Sequence, residues 1–127
     1  MPSSKKEPGD NQKTVAVGRR YEQLAAHYLV QNGYEILERN WRAGRKEIDL
    51  IVKKGQVIAF VEVKAATSTR YGHPAEKVDQ RKQEHLTQAA QQYILKKELL
   101  DVDLRFDVIT FVEENLEHFP GAFEATE

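Results

Sequence analysis

The 127-residue chain contains no cysteine, which excludes disulfides, thiolate zinc sites and a cysteine nucleophile and fits a reducing compartment. It also lacks any apolar run approaching the roughly 20 residues needed to span a bilayer. The charged N-terminus has no apolar stretch of the kind a signal peptide carries. The expectation is therefore a cytoplasmic protein without membrane contact. Its four histidines are scattered and no nucleophile motif accompanies them, so neither a Ser-His-Asp triad nor a His-based zinc site has local support. No internal repeat or low-complexity tract interrupts the body of the chain.

What is present is an ordinary globular composition, 40% hydrophobic and 31% charged, with enough length for one self-sufficient core. The net charge of −1 conceals an asymmetry. Residues 1–82 carry 16 basic against 10 acidic side chains, net +6, and residues 83–127 carry 3 against 10, net −7. Opposed halves predict a basic face around the first strands, suited to a polyanion.

Residues 1–15 are polar and broken by Pro and Gly, and are expected to form a disordered basic tail ahead of a single domain over residues 16–127. Val17, Tyr21, Leu24, Ala25, Tyr28 and Leu29 recur at helical spacing, with Gly33 placed to end the helix in a left-handed cap. Strands are predicted from Tyr34 to Trp41, from Glu47 to Val52 and from Val57 to Lys64, the last two joined by a hairpin at Lys54-Gly55. A turn-rich connection then leads to a long helix from about Ala75 to Leu99. A strand from Arg105 to Glu113, a turn at Glu114-Asn115 and a short strand from Leu116 to Phe119 complete the pattern. The order α-β-β-β-α-β-β predicts an α/β mixed sheet flanked by helices.

Two strands carry charges that an apolar strand does not ordinarily tolerate. Asp49 lies in Glu47-Ile48-Asp49-Leu50-Ile51-Val52, and Glu62 and Lys64 end Val57-Ile58-Ala59-Phe60-Val61-Glu62-Val63-Lys64. Burying unpaired charge is costly, so such residues are expected to be paired or to hold a metal. Alternation places Glu47, Asp49 and Ile51 on one face and Phe60, Glu62 and Lys64 on another, and the hairpin can bring these together. A loop at Lys54-Gly55 makes Asp49 and Glu62 diagonal neighbours; a register shifted by two sets them directly opposite, while a one-residue slip parts them. All-oxygen carboxylate ligands suit Mg²⁺ or Mn²⁺, which would activate water and offset charge at a phosphate. Lys64 could orient that water, move a proton or stabilise the phosphate. The plain alternative is a partly exposed salt bridge on a hairpin.

Glu22 in the first helix, Glu47-Ile48-Asp49-Leu50-Ile51 and Phe60-Val61-Glu62-Val63-Lys64 together resemble the PD-(D/E)xK nuclease superfamily. More narrowly the chain is similar, over roughly residues 17–123, to the YraN-like family of predicted endonucleases, relatives of archaeal Holliday-junction resolvases. The resemblance implies a restriction-endonuclease-like fold, Asp49, Glu62 and Glu22 as metal ligands, and Lys64 as the catalytic lysine. It also implies branched or otherwise structured DNA as substrate and a homodimer for paired cuts. Arg45 and Lys46 in the turn before the second strand, and Arg81 and Lys82 at the start of the second long helix, are the candidate DNA contacts, a solvated helical face being the equal alternative for Arg81 and Lys82. Lys46 stands where the family usually has Gly, and Ala65-Ala66 where basic residues often follow the lysine. A nuclease fold that binds nucleic acid or protein without cutting is the alternative expectation. Glu47 is expected in an outer or surface role, Asp107 as a neutraliser of a neighbour, His73 as structural, and Trp41 in the core.

Overall fold

The computed structural model describes residues 10–126, with side chains described from residue 17 onward. The first helix, α1 (Asp10–Gln31), begins seven residues before the apolar pattern does. The expected tail therefore overlaps it at residues 10–15, and the rest, to residue 9, lies outside the described residues. Ala25, Ala26 and Leu29 are buried on its inner face, whereas Val17 and Leu24, expected there, are exposed. Gly33 at φ +90° ends the helix, and the Tyr34 N–H reaches back to the Leu29 carbonyl at 3.0 Å.

Three antiparallel strands follow: β1 (Glu35–Ala43), β2 (Lys46–Lys54) and β3 (Val57–Ala66). The β2–β3 turn is Gly55-Gln56 rather than Lys54-Gly55, with Gly55 at φ +60°. The pairing Lys54↔Val57 through Leu50↔Val61 thus sets the register, shifted by two from the expected one, and it stops one step short of Asp49 and Glu62. The expected long second helix is two pieces. A 3₁₀ turn, Pro74–Lys77, is capped by the His73 ring, which accepts from the Ala75 N–H; helix α2 (Gln80–Lys97) then starts at its own cap, Asp79. Proline at the first 3₁₀ position and the Asp79 cap explain the break. β4 (Asp103–Val112) pairs in parallel with β3, so α2 serves as the crossover helix, and β5 (Asn115–Phe123) returns antiparallel along the sheet edge.

The sheet order is β1-β2-β3-β4-β5. Helix α1 covers one face, against Leu50, Val52, Ala59, Val61, Ile109 and Phe111. Helix α2 covers the other with Leu86, Ala89, Ala90 and Tyr93, against Ile48, Ile51, Ile58 and Phe60. Phe60 and Leu29, almost wholly buried on opposite faces, each contribute about 1.5–3 kcal/mol of apolar transfer energy. Trp41 packs edge-on against Tyr93, in the role expected for it. Among the described residues no helix is long and apolar enough to cross a membrane.

Candidate active site

Strand β2 does not run regularly through Asp49. Ile48 and Ile51 both pack on the α2 side, although strict alternation would send them to opposite faces. Asp49 is paired with neither neighbour: the β1 ladder passes from Arg39↔Leu50 to Trp41↔Ile48, and the β3 ladder ends at Leu50↔Val61. Asn40, the β1 residue skipped there, has φ +50°. The expectation that Glu47, Asp49 and Ile51 share one face therefore fails at this irregularity. The Asp49 side chain replaces what the backbone gives up, its Oδ2 accepting the Val63 N–H at 2.8 Å. A carboxylate wedged between two strands in this way opens the sheet where the charges collect.

Glu62, opposite, is 3% exposed. Its Oε2 faces two ammonium groups, Lys64 Nζ at 3.4 Å from the same strand and Lys82 Nζ at 3.2 Å from the first turn of α2. Its Oε1 is buried without a hydrogen-bond partner. A buried carboxylate oxygen with no donor is costly unless something positive occupies the space in front of it. Asp49 is pushed up to about 8, chiefly by burial and then by the Glu62 charge, with the Glu22 charge and the hydrogen bond its protonated form makes to the Glu62 carboxylate adding to this, against the Val63 N–H. Glu22 is also raised, first by burial, with Glu47 and Glu62 adding repulsion and the Asn40 side chain opposing it. Acids from α1, β2 and β3 therefore share one electrostatic neighbourhood, which is short of positive charge.

The donor set suits a hard divalent cation. Mg²⁺ is commonly held by one or two carboxylates, with waters and phosphate oxygens completing the shell. Asp49 and the free Oε1 of Glu62 supply that much. Among the described residues no three His, Asp or Glu side chains come close enough to enclose a metal ion on their own. Glu22 lies within electrostatic reach of the pair, not inside a closed ring of ligands.

The other expected residues divide. Lys82 reaches the site, while Arg81 and Arg45 are exposed. Lys46 lines a groove of about 450 Å³ with Gln88, Gln91 and Gln92 of α2. Glu47 is ion-paired with Arg42 at 2.8 Å, as fits an outer role. Asp107 belongs to a separate cluster: Arg105 donates to both its oxygens at 2.8 Å, His118 Nε2 lies 2.8 Å from Oδ2, and the Gly121 N–H reaches Oδ1 at 3.1 Å. The sequence suggests phosphate contacts or a solvated face for Lys82 and carries no direct sign of its place on Glu62. The Asp79 cap, three residues before Lys82, was the local signal that set it in the first helical turn.

Residues 21–111 match the model of a family described as Uncharacterised protein family UPF0102. A UPF0102 protein of Chloroherpeton thalassium is 48% identical over 98 residues, 77% of this chain and 76% of its own length. Another, of Persephonella marina, is 40% identical over 107 residues, 84% of this chain and 92% of its own length. A third, of Trichlorobacter lovleyi, is 46% identical over 115 residues, covering 86% and 91%.

Proposed function

This chain belongs to the UPF0102 family, and on the geometry of its acid pair we propose that it is an endonuclease that hydrolyses DNA phosphodiester bonds with Mg²⁺ or Mn²⁺. The observation that carries the reading is the buried Oε1 of Glu62, unpartnered and electrostatically coupled to Asp49, beside two lysines on the other oxygen. It supports placing the chain among PD-(D/E)xK nucleases. The relation to Holliday-junction resolvases, with branched DNA as substrate and two copies making paired cuts, is the finer form of the same proposal.

Asp49 and Glu62 would hold the divalent cation, with Glu22 adding negative charge behind them. When bound, the cation lowers the pKa of the attacking water and offsets charge developing on the phosphate. Lys64, 32% exposed on its side chain, presents its ammonium to the reacting phosphate oxygens. Asp49 must give up the proton that its surroundings favour, so cation affinity rises with pH up to about 8. The Val63 N–H holds Asp49 in position for this.

Cleavage of duplex and four-way-junction DNA in Mn²⁺ tests the reading. Asp49→Ala, Glu62→Ala or Lys64→Ala should each lower the rate by at least about 10²-fold, and EDTA should abolish it. Full activity in any of the three variants, or in EDTA, would sink the proposal. A second reading, a nuclease fold that binds without cutting, draws on the lack of a closed three-carboxylate ring among the described residues. Salt-dependent DNA binding with no cleavage across several metals would select it.

A further inference from the structure

Glu62 Oε2 is shared by two ammonium groups from different elements, and they are not equivalent. Lys64 lies on the same strand as Glu62, two residues on, and its position follows from the pleat. Lys82 arrives from α2, where Asp79 fixes its backbone by accepting its N–H at 2.9 Å. Its Nζ is the nearer of the two, at 3.2 Å, and a third of its side chain is open to solvent. A flexible four-carbon stem on an anchored backbone lets the ammonium travel while its base stays fixed.

Charge counting bears on what that freedom is for. The carboxylates of Glu22, Asp49 and Glu62 and the ammoniums of Lys64 and Lys82 leave one net negative charge when all are ionised. A dication brings the site to one positive charge, and one phosphodiester returns it to neutrality. Lys64 and Lys82 are about equally open to solvent, at 32% and 33% of their side chains, and Lys82 is the one that comes from a different element than Glu62.

We propose that Lys82 is a phosphate-binding residue of the site, held on Glu62 Oε2 as a counter-charge and transferred to the substrate phosphate when a divalent cation takes over the carboxylate. This rests on the nuclease reading but assigns Lys82 a part separable from cleavage. Lys82 competes with the cation for Glu62 in the free protein and assists it once DNA is present. A lysine that merely propped Glu62 in place would help the cation in both states.

The test measures two affinities. Mn²⁺ binding to DNA-free protein is followed by electron paramagnetic resonance, and binding of a labelled duplex oligonucleotide is followed in Ca²⁺. Lys82→Met should bind Mn²⁺ roughly 3- to 10-fold more tightly, because a competing positive charge has gone. Its DNA affinity should fall about tenfold, and Lys82→Arg should restore most of it. Should Lys82→Met melt below the assay temperature, Lys82→Gln carries the same two readouts. Weaker Mn²⁺ binding in the neutral variant, or unchanged DNA affinity, would overturn the proposal. A wild-type chain that cuts no DNA yet shows the opposed shifts would end the nuclease reading and leave the role of Lys82 standing. Cleavage without those shifts would do the reverse.

Discussion

Asp49 and Asp107 are the same residue type in comparable settings, each within a strand whose neighbours are buried and apolar, yet their surroundings treat them in opposite ways. Asp107 is finished. Burial alone would raise its pKa, but His118, Arg105 and the Gly121 N–H outweigh burial and hold it below the usual carboxylate range. Arg105 is tied further to Tyr34 at 2.6 Å, and His118 to Tyr28 at 3.0 Å. With its proton on Nε2, His118 donates to Asp107 and accepts from the Tyr28 hydroxyl. Asp49 has one N–H donor and two acidic neighbours, and its pKa moves up. A fully satisfied buried acid fastens β4 to β5 and α1; an unsatisfied pair is a vacancy of charge. The difference separates a satisfied carboxylate from an unsatisfied one where sequence context could not.

The contrast is sharpest in stability. Asp107→Ala strands the Arg105 guanidinium and should destabilise the fold by about 3–5 kcal/mol, read from urea denaturation. Asp49→Ala, which relieves repulsion, should lose less than about 1 kcal/mol. If the Asp107 variant proved no less stable than the Asp49 variant, the comparison would collapse.

The two acids also differ in the sign of their pH dependence. A carboxylate whose folded pKa is raised contributes stability below its unfolded value, near 4, and loses it as pH climbs towards about 8. Wild type should therefore lose stability relative to Asp49→Asn across that window, the gap being largest at its alkaline end. Asp107, lowered, contributes above its unfolded value and loses its contribution as pH falls through the folded one. Wild type should accordingly converge with Asp107→Asn in acid. Denaturation midpoints from pH 3 to pH 9 check both slopes, and parallel curves for the two variants would refute the assignment.

Much of the framework is legible in the chain because it rests on local periodicity. The 3.6-residue repeat of Ala25, Ala26 and Leu29, the apolar run from Ile58 to Val61 and the positive-φ glycines at 33 and 55 mark α1, β3 and their turns. That Asp49 and Glu62 come near each other follows from the β2–β3 hairpin. Other features depend on contacts remote in sequence. The irregularity at Asp49 carries no Gly or Pro, and it involves Asn40 of the neighbouring strand. The Asp107 cluster joins residues as far apart as Tyr28 and His118. Lys82 meets Glu62 only because the β3-α2-β4 crossover folds α2 back over the sheet.

That crossover has a kinetic consequence. The β2–β3 hairpin closes over a short loop, whereas Lys82 must wait for α2 to dock and β4 to pair in parallel, a slower class of contact. In a chain that folds in this order, Asp49 and Glu62 face each other before their second counter-ion arrives, with Lys64 as the sole ammonium at hand. Refolding should therefore run faster at pH 5, where Asp49 can hold a proton, than at pH 8, and Asp49→Asn should remove most of that difference in stopped-flow traces. An acid pair short of positive charge is also, on the way to the native state, a brake on the chain that carries it.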